Sequence, residues 1–342
     1  MAKILRRKKK KSGQLFGGRL DALVLRVLWW LLTPLPVDWA SATGRRVFGL
    51  LGRRSRKNRH VLANLMTAFP EKRRDEIERL AVEVWGNFGA VAIEFAQLRK
   101  LTDPARNRGR LEIVPDSRDP AFPVANGPCI FVTAHCGNWE LGAHAVRQYV
   151  DALDVIYAPQ ANPHLDRLIQ EKRQALGCNF VSKEKGVRAL LRALKSGRSV
   201  GLVVDTRIDE GPLLPFFGVE THVTTTPAWL ALKTGCAIVP VQGQRIRDAR
   251  FRIIFHPALQ AVRRHDETPE QAALRVTGDI NALVESWIRA RPADWMCTKR
   301  RWPKESKDAR NADVATPESM VEANVATEEH MAKRRLQPPG AS

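Results

Sequence analysis

From about residue 125 onward, short apolar runs rich in β-branched and aromatic residues alternate with segments of helical periodicity, and this alternation limits the possible folds most severely. Cys129 to Ala134, Asp154 to Tyr157, Ser199 to Asp205, Ala237 to Val241 and Phe251 to Phe255 read as strands. Between them, Glu140 to Val150, Pro163 to Leu176, Gly186 to Lys195 and Pro227 to Lys233 read as helices. The last is well delimited, with Thr225 or Thr226 as N-cap, Pro227 at the first helical position and Gly235 after the end. Strand and helix in turn predict an α/β domain with a largely parallel central sheet flanked by helices. In such a domain, function gathers at the carboxyl ends of the strands. His135 and Asp205 both fall at such ends.

Upstream, Ile77, Leu80, Ala81, Val84, Trp85, Phe88, Val91, Ala92, Phe95 and Leu98 recur at spacings of three and four, which predicts a long amphipathic helix over Asp75 to Leu98. Its apolar stripe reads as core. No internal repeat, phosphate-binding loop or dinucleotide fingerprint appears, so nothing in the chain points to a nucleotide cofactor.

The first strand delivers His135, and Glu140 follows within Cys136-Gly-Asn-Trp-Glu140. A neutral imidazole can take a hydroxyl proton while a carboxylate fixes its tautomer and stabilises the imidazolium, the base-and-orienter arrangement of acyl transfer. Inside one helix a separation of five positions would set the two side chains about 140° apart, so they meet only if His135 precedes the helix and the turn folds back. Gly137 permits that turn, and Asn138 is placed to cap the helix. A Cys136–His135 nucleophile is a poor rival, because adjacent residues in extended chain point to opposite faces.

The net charge of +20 over 342 residues predicts attraction to polyanions: nucleic acid, an anionic membrane, an acidic carrier or a phosphorylated substrate. Nucleic acid is disfavoured, since neither zinc-finger spacing nor an aromatic RNA-binding strand is present. Five scattered cysteines without close pairs fit a reducing compartment and no metal. Lys3, Arg6, Arg7, Lys8 to Lys11 and Arg19 precede an apolar stretch from Ala22 to Val37 that contains Trp29 and Trp30. This pairing reads as a membrane address, a basic N-terminus with a membrane-anchoring helix. Arg26, Pro34 and Pro36 make it awkward as a span, so an interfacial or short anchoring helix is expected. A core helix behind a solvated basic tail is the plainer alternative. The expected organisation is therefore a basic, anchoring segment over 1–57, a catalytic domain over 58–304 and a disordered tail over 305–342, where Lys, Asp, Glu, Ala and Pro dominate.

A second polar strand end, Asp205-Thr-Arg207, precedes Gly211-Pro-Leu-Leu-Pro-Phe-Phe-Gly218. Its arginine suits a phosphate, and its aspartate suits either that arginine or a substrate hydroxyl. An ordinary strand-end salt bridge is the bland reading of the same residues. With Lys57-Asn-Arg-His-Val-Leu-Ala-Asn64, Tyr157-Ala-Pro-Gln-Ala-Asn162-Pro, Arg173 before Leu176-Gly177, and Arg291-Pro-Ala-Asp-Trp295 followed by Arg300-Arg301, these segments occur in an order that resembles the bacterial lipid A late acyltransferases. That family belongs with the wider His-x4-Asp/Glu glycerolipid acyltransferases.

The resemblance covers roughly residues 20 to 304 and implies a glycerolipid-acyltransferase-like fold, with His135 as general base and Glu140 as its partner. It further implies that Arg173 and Asp205 matter for activity, with Arg207 a further candidate for phosphate or carboxylate binding; Asn138, in the turn after His135, is a substrate-binding candidate as well. The implied reaction moves an acyl chain from acyl carrier protein to a lipid A precursor at the cytoplasmic face of the inner membrane, without a cofactor. Cys136, Met296, Cys297 and Lys299 depart from the family pattern, which leaves acyl-chain length and acceptor identity open.

Overall fold

A computed structural model describes residues 19–115 and 127–303. The chain enters through α1 (19–32), α2 (Val37–Gly52), α3 (Asn58–Ala68) and the long α4 (Arg74–Glu94). A 3-10 turn then leads into α5 (Leu98–Thr102), α6 (Pro104–Asn107) and β1 (Leu111–Val114). The alternating region runs β2 (Ile130–Thr133), α7 (Glu140–Val146), β3 (Leu153–Tyr157), α8 (Pro163–Arg173), β4 (Asn179–Ser182), α9 (Gly186–Lys195) and β5 (Ser199–Val203). A hairpin of β6 (Leu213–Phe216) and β7 (Val219–His222) follows, then α10 (Thr226–Thr234), β8 (Ile238–Arg247), β9 (Arg250–Phe255) and α11 (Pro269–Ala290).

The main sheet has the order β1-β9-β8-β2-β5-β3-β4. The strands β8, β2, β5, β3 and β4 are mutually parallel; the tight β8–β9 reversal makes β9 antiparallel to them, and β1 pairs parallel with β9. From β2 the chain goes out to β3 and β4, returns to β5 between β2 and β3, and then crosses to β8 on the far side of β2. The carboxyl ends of β2 and β5 therefore lie where the winding changes side, the usual location of a site in such sheets. Phe131, Val239, Val241, Phe251 and Phe255 fill the core beneath them together with Leu141 and Ala145 of α7.

All five expected strands form, although β5 stops at Val203 and β8 runs on to Arg247. β1, β4 and the β6–β7 hairpin have no counterpart in the sequence reading; each main-sheet strand among them is only four residues long and sits toward a sheet edge, where half-exposed positions blur the alternation. The expected helix over 75–98 ends at Glu94, where a 3-10 turn breaks it. α10 closes as expected, with Gly235 in the left-handed region at φ 72°.

The helical layer formed by α2 and α4 depends on glycine. A Cβ at Gly44 would lie 2.5 Å from the Gly89 carbonyl oxygen, and one at Gly89 would lie 2.3 Å from that of Gly44, so the two backbones touch where any side chain would part them. α2 buries Ala40, Ser41, Gly44, Gly49 and Gly52 against this contact and turns Trp39, Val47, Leu50 and Leu51 outward. α1 is tied down mainly by Trp29, which stacks on Phe95 at 5.7 Å and donates its indole N–H to the Ala92 carbonyl at 3.1 Å. No described helix is long and apolar enough to cross a membrane, so a spanning N-terminal helix is not found among the described residues. The basic run Lys3 to Lys11 and the tail over 305–342 lie outside the described residues.

Candidate active site

β2 and β5 pair in parallel with a constant offset of seventy positions, Ile130 beside Val200 through to Thr133 beside Val203. Extending that register by two residues sets His135 beside Asp205, both just past their strand ends. His135 Nδ1 meets Asp205 Oδ1 at 2.8 Å. The other carboxylate oxygen accepts the Trp295 indole N–H at 3.0 Å. Burial opposes ionisation of Asp205. The charge of His135, the side-chain bonds from His135 and Trp295, and the His135 backbone N–H together outweigh it and hold the carboxyl below its ordinary value. The ionised carboxylate assigns the proton to Nδ1 and leaves the Nε2 lone pair able to accept a proton. The imidazole is partly open to solvent, at 29% exposure against 4% for Asp205, and Trp139 packs edge-on against it at 4.9 Å.

The turn after His135 is fastened to the C-terminal motif. Cys136 and Trp295 form an antiparallel bridge, flanked by Met296 N–H to the His135 carbonyl at 2.9 Å and Gly137 N–H to the Asp294 carbonyl at 3.0 Å. Gly137 lies at φ 56°, and a Cβ there would come within 2.9 Å of the Gly243 carbonyl oxygen, so both the turn and the close approach require glycine. Its N–H is taken by the Asp294 carbonyl and is not free to bind a substrate oxygen. Burial, with the charges of Asp205 and Asp294, pushes the Cys136 thiol well up and makes it a poor nucleophile.

The expected His135–Glu140 hydrogen bond is not the one the structure holds. Glu140 opens α7 and turns away from the imidazole to Arg173, which grips it through both forks, Nε to Oε2 at 3.1 Å and Nη2 to Oε1 at 2.5 Å. α8 delivers that arginine: Asn162 caps the helix by accepting the His164 N–H at 3.0 Å, and Pro163 starts it. The guanidinium lies over Phe180 at 4.8 Å, with Tyr157 and Phe95 at 5.8 and 5.9 Å. Two features thus displace the local pairing: a neighbouring strand supplies a carboxylate at strand spacing, and a bidentate arginine claims Glu140.

Asn138 does not cap α7. It is buried and donates from Nδ2 to Glu94 Oε2 at 2.9 Å, so it belongs to the scaffold and not to a substrate surface. Arg207 pairs with the exposed Asp209 at 2.6 Å and not with Asp205. Trp295 carries the least anticipated function, because an indole N–H bonded to a carboxylate leaves no mark in a sequence. Arg245, bound to Glu94 by both forks at 2.5 and 2.9 Å, is likewise missed. Glu94 and Asn87 did leave a signal, as polar residues seven apart on the buried stripe of α4. Among the described residues, no three His, Cys, Asp or Glu side chains are grouped to hold a metal ion.

Among known proteins, the bacterial lipid A biosynthesis acyltransferase family matches residues 9–304. The phosphatidylinositol mannoside acyltransferase of Mycolicibacterium smegmatis is 25% identical over 331 residues, covering 89% of this chain and 99% of the relative. The protein of the same name from Mycobacterium tuberculosis strain H37Rv is 26% identical over 310 residues, covering 84% of this chain and 90% of the relative.

Proposed function

Because the chain belongs to the bacterial lipid A biosynthesis acyltransferase family, we propose that it transfers a fatty acyl chain from an acyl-carrier-protein thioester to a hydroxyl on a 3-hydroxyacyl chain of a lipid A precursor. The observation that carries the chemistry is the His135–Asp205 pair at the ends of adjacent parallel strands. His135 Nε2 takes the hydroxyl proton while Asp205 holds the ring and stabilises the imidazolium. The alkoxide-like oxygen bonds to the thioester carbonyl carbon, the C–S bond breaks, and the imidazolium returns the proton to the leaving sulfur. Glu140 acts through Arg173, fixing the guanidinium beside the site within its aromatic surround.

A second reading, a glycolipid acceptor other than lipid A, is favoured by the relatives, which are phosphatidylinositol mannoside acyltransferases. The acidic carrier and a phosphorylated acceptor both match the charge of +20.

The working location is the cytoplasmic face of the inner membrane, reached by interfacial docking. Of the twenty large apolar side chains exposed among the described residues, twelve lie between Leu20 and Leu51, on α1, α2 and their link. Over 39–70 no acid occurs, while Arg45, Arg46, Arg53, Arg54, Arg56, Lys57 and Arg59 do. Apolar side chains beside an uninterrupted basic run suit an anionic bilayer surface. The test supplies the purified enzyme with acyl-carrier-protein thioesters of several chain lengths and with either a lipid A precursor or a mannosylated phosphatidylinositol, and follows acylated product by mass spectrometry. Product from the lipid A precursor alone supports the first reading. Product from the mannosylated lipid alone moves the assignment to the second, and thioester consumption with neither acceptor rejects both.

A further inference from the structure

We propose that Asn87, on the buried stripe of α4, is a positioning residue for the proton-transfer pair, an inference that rests on the assignment of His135 and Asp205 above. The two members of that pair come from different strands, and each depends on a separate support. His135 is held by the turn that follows it, and Asp205 by the indole of Trp295. Asn87 stands where those supports meet.

Its Nδ2 donates to the Asp294 carbonyl at 3.2 Å and, at a longer 3.4 Å, to the Gly137 carbonyl. The same Asp294 carbonyl receives the Gly137 N–H at 3.0 Å, so the amide braces the joint between the turn and the Asp294–Met296 segment. In sequence that joint is two residues from His135 and one from Trp295. The Asn87 Oδ1 receives Arg245 Nε at 2.8 Å. Arg245 is itself fixed by Glu94, whose carboxylate also accepts Ser41 Oγ at 2.5 Å and Asn138 Nδ2 at 2.9 Å.

The chemistry demands an amide at this position. The side chain must donate to two backbone carbonyls from one end and accept from a guanidinium at the other, which neither a carboxylate nor an apolar residue does. Asn87 is 1% exposed, so these are its only partners among the described residues and no solvent replaces them. It touches neither reacting group. Its effect is to fix where His135 and Trp295, and through Trp295 the Asp205 carboxylate, stand relative to each other.

The experiment measures thiol release from an acyl-carrier-protein thioester in the presence of acceptor for Asn87→Asp and Asn87→Ala, alone and combined with Asp205→Asn. Asn87→Asp keeps the acceptor that Arg245 needs and removes both donors, so it preserves the ion-paired scaffold if the alanine variant does not fold. The expected result is a fall in kcat of roughly ten- to a hundredfold, the size that small misplacements of reacting groups produce, with KM changed by less than about twofold. In the Asp205→Asn background, where the pair is already broken, the same substitution should cost less than about threefold. An undiminished loss in that background, or a rise in KM with kcat retained, assigns Asn87 a merely structural role and overturns the proposal. Full turnover of Asp205→Asn itself would reject the underlying assignment of the pair, an outcome separate from the behaviour of Asn87.

Discussion

Replacing Asp205 by asparagine should abolish most of the turnover, and the structure states why the loss is large. The buried Trp295 indole N–H needs an acceptor, and one oxygen of Asp205 provides it at 3.0 Å. In Asp205→Asn only the amide oxygen can accept, so it turns to the indole and the NH2 group faces His135 Nδ1. The imidazole must then carry its proton on Nε2, the atom that has to receive the hydroxyl proton. General-base catalysis contributes about 10² to 10⁴ in rate, or roughly 3 to 5 kcal/mol of transition-state stabilisation, and that contribution is the expected loss in kcat. Thiol release under saturating acceptor measures it directly. The amide's orientation gives a sharper check: in Asp205→Asn/Trp295→Phe the indole no longer dictates the flip, the oxygen can face Nδ1, and about tenfold of the lost rate should return. An Asp205→Asn enzyme within about threefold of the parent would refute the assignment of the base. A double variant that loses the product of the two single losses would refute the orientation argument.

Glu140→Gln leaves the Arg173 guanidinium, 16% exposed, without its buried partner, and should lower stability by about 3 kcal/mol in chemical denaturation. Gly89→Ala drives a methyl group into the Gly44 backbone and should cost roughly 1–3 kcal/mol by the same measurement, with no change expected in an enzyme whose helices pack farther apart. Because the Asp205 carboxyl is held below its ordinary value, its contribution to stability is full above the unfolded-state value and disappears as pH falls through the folded one. Urea midpoints should therefore drop less steeply on acidification in Asp205→Asn than in the parent. Leu50→Glu/Leu51→Glu should weaken sedimentation with anionic vesicles by tenfold or more while kcat in detergent stays within about twofold; unchanged vesicle binding would remove α2 from the membrane-docking surface.

The parallel α/β architecture was legible because a central strand buried on both faces, such as Cys129-Ile-Phe-Val132, writes an unbroken apolar run. His135 and Asp205 were legible as strand-end polar residues, yet their pairing was not. It follows from which strands lie side by side, and β5 reaches β2 only after β3 and β4 have intervened. Local spacing favoured Glu140, five residues away, over a carboxylate seventy residues away. The same limit hid Arg245, whose charge looks like surface in a strand but lies 4% exposed against Glu94. Asn138 misled for the opposite reason: its position before a helix suggests a cap, while the buried Glu94 offers it a charged partner.

The strand register also has a consequence for how activity appears as the chain folds. No local segment contains the His135–Asp205 pair, so none of it forms until β2 and β5 dock across a stretch of chain that holds two other strands of the sheet, β3 and β4, and Trp295 closes the arrangement from still farther along the chain. Contacts of such sequence separation form slowly because loop closure precedes the interactions that reward it. Enzymatic activity in this protein is thus a late marker of folding. On refolding it should return with, or after, the sheet signal and never ahead of it.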